Sequence, residues 1–279
     1  MCSSDLDGSD PTVDGPRAFD VPRMGTILTC GVDKQHSELH WVVRAFGPGE
    51  QSWLIDRGLF RGDTSQNEVW AQFDAWRLSR TWKHEGGARL KIRSCCIDAG
   101  DDPDPVYAYT KPRLGEYVFA VKGASDPTAD ILPKKFTRTR LKSRLFVLGV
   151  QNIKKRLFRR AAMQHEPYSL DVGQTFMHWN ERANQAYWAE WFSQRTVMSK
   201  YRGKVVPRYE LKAGQHDEAL DAEVYAYAAL QLGPVRIASL QDEWESVMAE
   251  GESKPGVAAS PVPTRPGRGW VRPKKGGWL

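Results

Sequence analysis

Three aspartates in this chain stand where carboxylates can do metal-assisted chemistry. Asp33 closes the apolar run 26–33 (TILTCGVD), Asp98 closes 91–98 (KIRSCCID), and Asp221 lies in the helix-like stretch 217–232 (DEALDAEVYAYAALQL). Two strand-end acids and one helical acid can converge on a pair of hard divalent cations, Mg²⁺ or Mn²⁺, which prefer oxygen ligands. Two such ions a few ångströms apart can polarise a phosphodiester, generate hydroxide and stabilise the leaving oxygen. Taken singly, each aspartate is equally an ordinary turn residue bonding nearby amides. It is their joint placement that points to hydrolysis of a phosphodiester.

Convergence requires a particular arrangement of elements. Strand-like runs at 26–32, 39–46 (LHWVVRAF) and 51–57 (QSWLIDR) are separated by short, turn-prone segments, including Gly47-Pro48-Gly49. Such short connections imply an antiparallel meander. Val69, Trp70, Phe73, Trp76 and Leu78 recur at helical spacing in 67–82. A fourth strand follows at 90–97, a short helix at 104–110, and a fifth strand at 117–121 (YVFAV) that runs into Lys122-Gly123. The order βββ-α-β-α-β with a later helix is the RNase H-like order. The expected fold is therefore α/β, a mixed central sheet of about five strands flanked by helices.

Within the late helix, Glu218 and Asp221 are spaced i,i+3 with Tyr225 at i+4 beyond Asp221, so all three share a face. That face is either a metal-binding surface or an acidic first turn favoured by the helix dipole. Asp217 is expected to cap the helix through the amide of residue 219 or 220, and His216 to contact a phosphate, position water or join the cap. Lys122, in the apolar context VFAVKGAS, reads either as a cation offsetting transition-state charge or as a surface lysine at a turn. Asp101 and Asp102 read as turn residues. Asn184 opens a further expected helix, 184–201, whose aromatic residues are expected to lie in the core.

Residues 134–160 carry Lys134, Lys135, Arg138, Arg140, Lys142, Arg144, Lys154, Lys155, Arg156, Arg159 and Arg160 without a single acid. Interleaved Phe136, Leu141, Leu145, Phe146, Val147 and Leu148 suggest a basic, hairpin-like insertion that tracks a DNA backbone. The net charge of +6 suits a polyanionic partner. Cys2, Cys30, Cys95 and Cys96 form no CxxC pair, so neither a zinc site nor a disulfide framework is expected. No stretch approaches the roughly 20 apolar residues that cross a bilayer, and no signal pattern opens the chain. A cytoplasmic protein without membrane contact is expected. Composition divides the chain into a linker at 1–24, a nuclease-like domain at 25–233, a helical extension at 234–250 and a basic, Pro- and Gly-rich tail at 251–279.

Several of these segments, in this order, resemble the nuclease domain of phage terminase large subunits of the lambda type: GVDKQHSELHWVV, QSWLIDRGLFRGD, CCIDAG before VYAY, VFAVKGAS, LGVQNIKKRLF and HDEALDAEVYAYAAL. The resemblance covers about residues 26–233. It implies a DNA endonuclease that cuts concatemeric double-stranded DNA during genome packaging, with Asp33, Asp98, Asp221 and Glu218 as metal ligands and Lys122 as the lysine of the family's KG motif. It also implies a small terminase subunit and a portal or procapsid as partners, in a bacterial host cell. The family helix commonly begins Asn-Glu-Ala-Leu-Asp; Asp217 replaces the Asn here. No GxxxxGK[ST] phosphate loop occurs in the chain, so a packaging ATPase is expected on a missing segment or a separate polypeptide. The rival readings are another RNase H-like nuclease, of the resolvase or transposase kind, and a non-catalytic module that binds DNA or docks on a capsid.

Overall fold

A computed structural model describes residues 20–162, 176–236 and 239–253. The central sheet is built from β1 (Ile27–Lys34), β2 (Glu38–Phe46), β3 (Ser52–Arg61), β6 (Ile92–Asp98), β7 (Val118–Gly123), β8 (Thr137–Arg138), β9 (Arg144–Leu148) and β10 (Met177–His178). Two small pairs complete the strands: β4 (Trp82–Lys83) with β5 (Arg89–Leu90), and β11 (Gln194–Tyr201) with β12 (Lys204–Leu211). The helices are α1 (Asn67–Ser79), α2 (Asp104–Thr110), α3 (Val150–Ala161), α4 (Gln185–Trp191), α5 (Glu218–Leu232) and α6 (Leu240–Ser253).

The eight strands run in the order β10-β3-β2-β1-β6-β7-β9-β8. The β1–β2–β3 meander is antiparallel, while β6, β7 and β9 continue parallel to β1. The first five expected strands therefore take the anticipated RNase H-like order, and three further short or edge strands widen the sheet. Both faces are covered, which is why the central strands read as continuous apolar runs. Side chains alternate across the pleat, so adjacent Cys95 and Cys96 go to opposite faces. Cys95 joins Phe73, Trp70 and Tyr109 in the layer under α1 and α2. Cys96 joins Leu220, Val224, Tyr187 and Trp191 in the layer under α4 and α5. Cys30, Cys95 and Cys96 are free and buried.

Three local expectations are corrected. Residues 184–201 are not one helix. Its aromatic spacing ends with α4 at Trp191, and 194–201 pairs with β12 through a turn in which Arg202 and Gly203 both have positive φ, 48° and 79°. Two such residues match the right-handed twist of a hairpin. The basic tract is a hairpin only in its first half: β8 pairs antiparallel with β9, and 150–161 is helical. Nor is it a simple insertion, because β9 extends the main sheet beside β7. Finally, Val21 is fully buried and bridges His84, so the stretch before residue 25 joins the fold before its expected end. Residues 1–19 and 254–279, most of the expected linker and tail, lie outside the described residues, as does Cys2.

Candidate active site

Parallel pairing of β1 with β6 aligns Val32 with Ile97, which brings Asp33 and Asp98 to the same edge of the sheet. Helix α5 then lies across β1 at unusually close range, and Gly31 is the reason. A Cβ there would stand 1.9 Å from the Ala222 carbonyl oxygen and 2.2 Å from the Ala226 nitrogen. Small residues on the helix answer the missing side chain. Thr29 Oγ1 donates to the Ala226 carbonyl at 2.7 Å, and Ser94 Oγ donates to that of Ala229 at 2.7 Å. These contacts seat the later turns of α5 on the sheet and so set Asp221, in its first turn, over the strand ends.

The electrostatics report the convergence. Burial, then the negative charges of Asp221 and Asp98, push the Asp33 carboxyl well above the usual carboxylate range. Burial raises Asp98 as well, opposed by a 2.9 Å bond that Tyr225 donates to its Oδ1 and by the Gly100 amide at 3.1 Å. Asp221 is pushed up to about 6, first by burial and then by Asp217, with Lys154 opposing. Neighbouring carboxylates thus raise the proton affinity of Asp33 and Asp221, and a cation bound among them would relieve that repulsion.

Lys154 belongs to that site rather than to a DNA-facing surface, as the sequence suggested. Projecting from the second turn of α3, it is 4% exposed, with its Nζ 2.6 Å from Asp221 Oδ1 and 3.9 Å from Asp217 Oδ2. Its place was legible in principle, since Lys154 shares an inward face with Leu157 and Phe158 at i+3 and i+4. The other basic candidates divide. Lys134, Lys135, Arg138, Arg140, Lys142 and Lys155 are exposed, while Arg144 is half-buried with its guanidinium 4.6 Å from the Phe136 ring centroid. Arg140 pairs with Asp104.

The helical acids also sort themselves. Glu218, expected at the metals, meets His216 Nδ1 through its Oε1 at 3.1 Å and is not among the largest influences on Asp33, Asp98 and Asp221. Asp217 faces the cluster. Its carboxylate makes no capping bond to the α5 amides but accepts from Gln194 Nε2 at 2.5 Å, while Glu190 Oε2 caps the helix at the Ala219 amide, 2.9 Å away. Lys122 is exposed, one residue beyond the Val121 that pairs with Asp98, and so lies on the same edge of the sheet. Asp102 is a turn residue with φ of 37°, and Asp101 accepts from Lys34 Nζ through its carbonyl at 3.2 Å. Sequence reading gave Lys154 to the DNA surface and missed Gly31, Gln194 and Gln35, whose Nε2 donates to Asp33 Oδ2 at 2.6 Å.

The donor set suits a hard divalent cation: carboxylates on rigid elements, with Asp221 Oδ1 buried and facing the Lys154 ammonium at 2.6 Å. Among the described residues no three His, Cys, Asp or Glu side chains close on one point as a finished metal cage.

The chain is similar to known proteins in sequence. Over 221 residues the chain is 28% identical to the terminase large subunit of Enterobacteria phage P21, covering 77% of this chain and 34% of that protein. Over 238 residues it is 29% identical to the terminase large subunit of Escherichia phage lambda, covering 80% and 36% respectively. The chain thus spans about a third of the length of these curated relatives. A looser likeness joins it to the large terminase nuclease of thermophilic phage G20c, solved with bound magnesium. There the TM-score is 0.37 and the identity 11%, over 72% of this chain and 80% of that one, too distant to argue from. The model of the family described as terminase large subunit gpA, endonuclease domain, matches residues 13–244, and the chain belongs to that family.

Proposed function

We propose that this chain is a metal-dependent DNA endonuclease in which Asp33, Asp98 and Asp221 hold divalent cations, Mg²⁺ or Mn²⁺, with Asp217 beside Asp221 in the ligand place that the sequence gave to Glu218. The observation that carries the reading is the convergence of three acids, from β1, β6 and α5, each with raised proton affinity. Bound there, two such cations would polarise the scissile phosphodiester, activate water and stabilise the departing 3′ oxygen.

The chain's own residues prepare that chemistry. Tyr225 holds the Asp98 carboxylate by its Oδ1, Gln35 holds Asp33 by its Oδ2, and both acids stay oriented as ligands. Lys122, exposed on the same edge, offsets charge on the phosphate. The basic side chains Lys134, Lys135, Arg138, Lys142 and Lys155 contact the double-stranded DNA backbone. Such contacts carry no sequence information, so target choice falls to a partner, the small terminase subunit, with a portal or procapsid receiving the DNA. Among the described residues no helix is long and apolar enough to cross a membrane.

The test is nicking and linearisation of supercoiled plasmid at low salt with Mg²⁺, Mn²⁺ or EDTA. Cutting that needs metal and disappears in Asp33→Asn and Asp98→Asn, with folding and DNA binding retained, is the expected result. A folded native chain that binds DNA but cuts with neither metal would overturn the proposal.

A further inference from the structure

The buried lysine of α3 has no place in the hydrolytic scheme above, yet it touches the site's helical acids. We infer that Lys154 is a positioning residue, a built-in counter-cation that holds Asp221 and Asp217 in the metal-free protein and must release Asp221 when a divalent cation enters. This rests on the reading of Asp33, Asp98 and Asp221 as metal ligands.

The geometry points to exchange rather than permanent pairing. An ammonium 2.6 Å from Asp221 Oδ1 occupies the direction from which a cation would approach that oxygen, and no other group hydrogen-bonds to it. Two positive charges cannot share one carboxylate oxygen in a buried site without strong repulsion. Lys154 has an alternative partner already in reach, since Asp217 Oδ2 stands 3.9 Å from its Nζ. Asp217 is free to receive it because Glu190 has taken over the capping of α5. A flexible four-carbon stem allows the transfer without moving α3. Gln194, at the base of the β11–β12 hairpin, bonds the same Asp217 oxygen at 2.5 Å, so the exchange also bears on how that hairpin is held.

The structure therefore sets an energetic competition. Lys154 stabilises the metal-free fold by relieving repulsion among the acids and by the same contact weakens cation binding. Thermodynamic linkage makes the two effects reciprocal, and couplings of this kind are commonly worth about 5- to 150-fold in affinity.

The experiment compares the native full chain, Lys154→Met and Asp33→Asn by thermal melting in EDTA and by calorimetric titration with MgCl₂ and MnCl₂. Lysine labelling of the native chain, read by mass spectrometry with and without Mg²⁺, needs no variant. Expected are a lower melting temperature for Lys154→Met in EDTA, tighter Mg²⁺ binding by about tenfold, and a rise in Lys154 labelling when Mg²⁺ is added to the native chain. Unchanged Mg²⁺ affinity in Lys154→Met together with unchanged labelling of Lys154 would overturn the inference while leaving the metal site intact. Should the native chain bind neither metal, or Asp33→Asn bind as well as native, the metal-ligand reading itself fails and the exchange falls with it.

Discussion

Replacing Gly31 by alanine should be among the most damaging single changes available outside the acids themselves, although it adds one methyl group. That methyl would stand 1.9 Å from the Ala222 carbonyl oxygen, whereas ordinary contact begins at 3.4 Å, so α5 must retreat by roughly 1.5 Å. Both groups it meets are helix backbone, which cannot swing aside. The retreat carries the Thr29 and Ser94 hydroxyls, now 2.7 Å from helical carbonyls, out of bonding range. Two lost hydrogen bonds cost about 1 kcal/mol each, and overpacking a tight interface about 1–3 kcal/mol more. The sum, on the order of 3–5 kcal/mol, is a large share of the roughly 5–15 kcal/mol that hold a domain together. Urea denaturation followed by circular dichroism measures it, with Gly115→Ala as control, since a Cβ at Gly115 meets nothing within 4 Å. Because the shift lifts Asp221 from the strand ends, any folded fraction of the variant should also lose metal-dependent plasmid cutting. A Gly31→Ala midpoint indistinguishable from native would refute the claim that this close approach sets the site.

Charge predictions follow from the same geometry. The folded acids hold protons more tightly than an unfolded chain would, so protonation favours the fold at low pH. That stability is lost as pH rises from the ordinary carboxylate range through about 6, the value to which Asp221 is pushed. In EDTA the native chain should therefore show this loss, and Asp33→Asn should melt higher than native at pH 8 and flatten the pH dependence; a variant that melts lower at pH 8 would contradict the repulsion. Glu223→Gln should cost about 3–5 kcal/mol in urea denaturation, since it strands the fully buried Arg44 guanidinium that Glu223 binds at 2.6 and 2.8 Å. By contrast Arg140→Ala, which breaks an exposed pair with Asp104, should leave the midpoint near native.

The sheet and its acids were legible because they depend on local pattern. Apolar runs ended by Asp33 and Asp98, short meander turns and one helix late in the chain suffice to place three carboxylates on one edge. What escaped depends on partners distant in sequence. Asp217 has the residue type and position of an N-cap, yet Glu190 supplies the cap, and nothing near residue 217 announces a competitor 29 residues upstream of the capped Ala219. Lys154 was hidden by company: inside a strongly basic tract it reads as one more phosphate contact, and only the inward face of an amphipathic helix distinguishes it. Residues 184–201 show the converse: aromatic spacing carries a true helix pattern past Trp191, where α4 ends, and the hairpin signal, Arg202-Gly203, lies just beyond the segment.

Helix α5 is the element on which all of this turns, and it is held against the charge it carries. Left free, it would rotate or slide to separate Asp221 from Asp33 and Asp98. Gly31 prevents tilting by letting the helix sit against β1, and the Thr29 and Ser94 hydroxyls prevent sliding. Rotation is blocked by Glu223, two residues from Asp221 and directed elsewhere, which is locked to Arg44 of β2 and accepts a bond from the Tyr187 hydroxyl of α4. A buried ion pair of this kind adds little net stability over an apolar contact, but it is expensive to break and specific in geometry. The interior ion pair thus fixes the angle at which the helical acid meets the strand acids, and the repulsion it holds in place is what a cation would relieve.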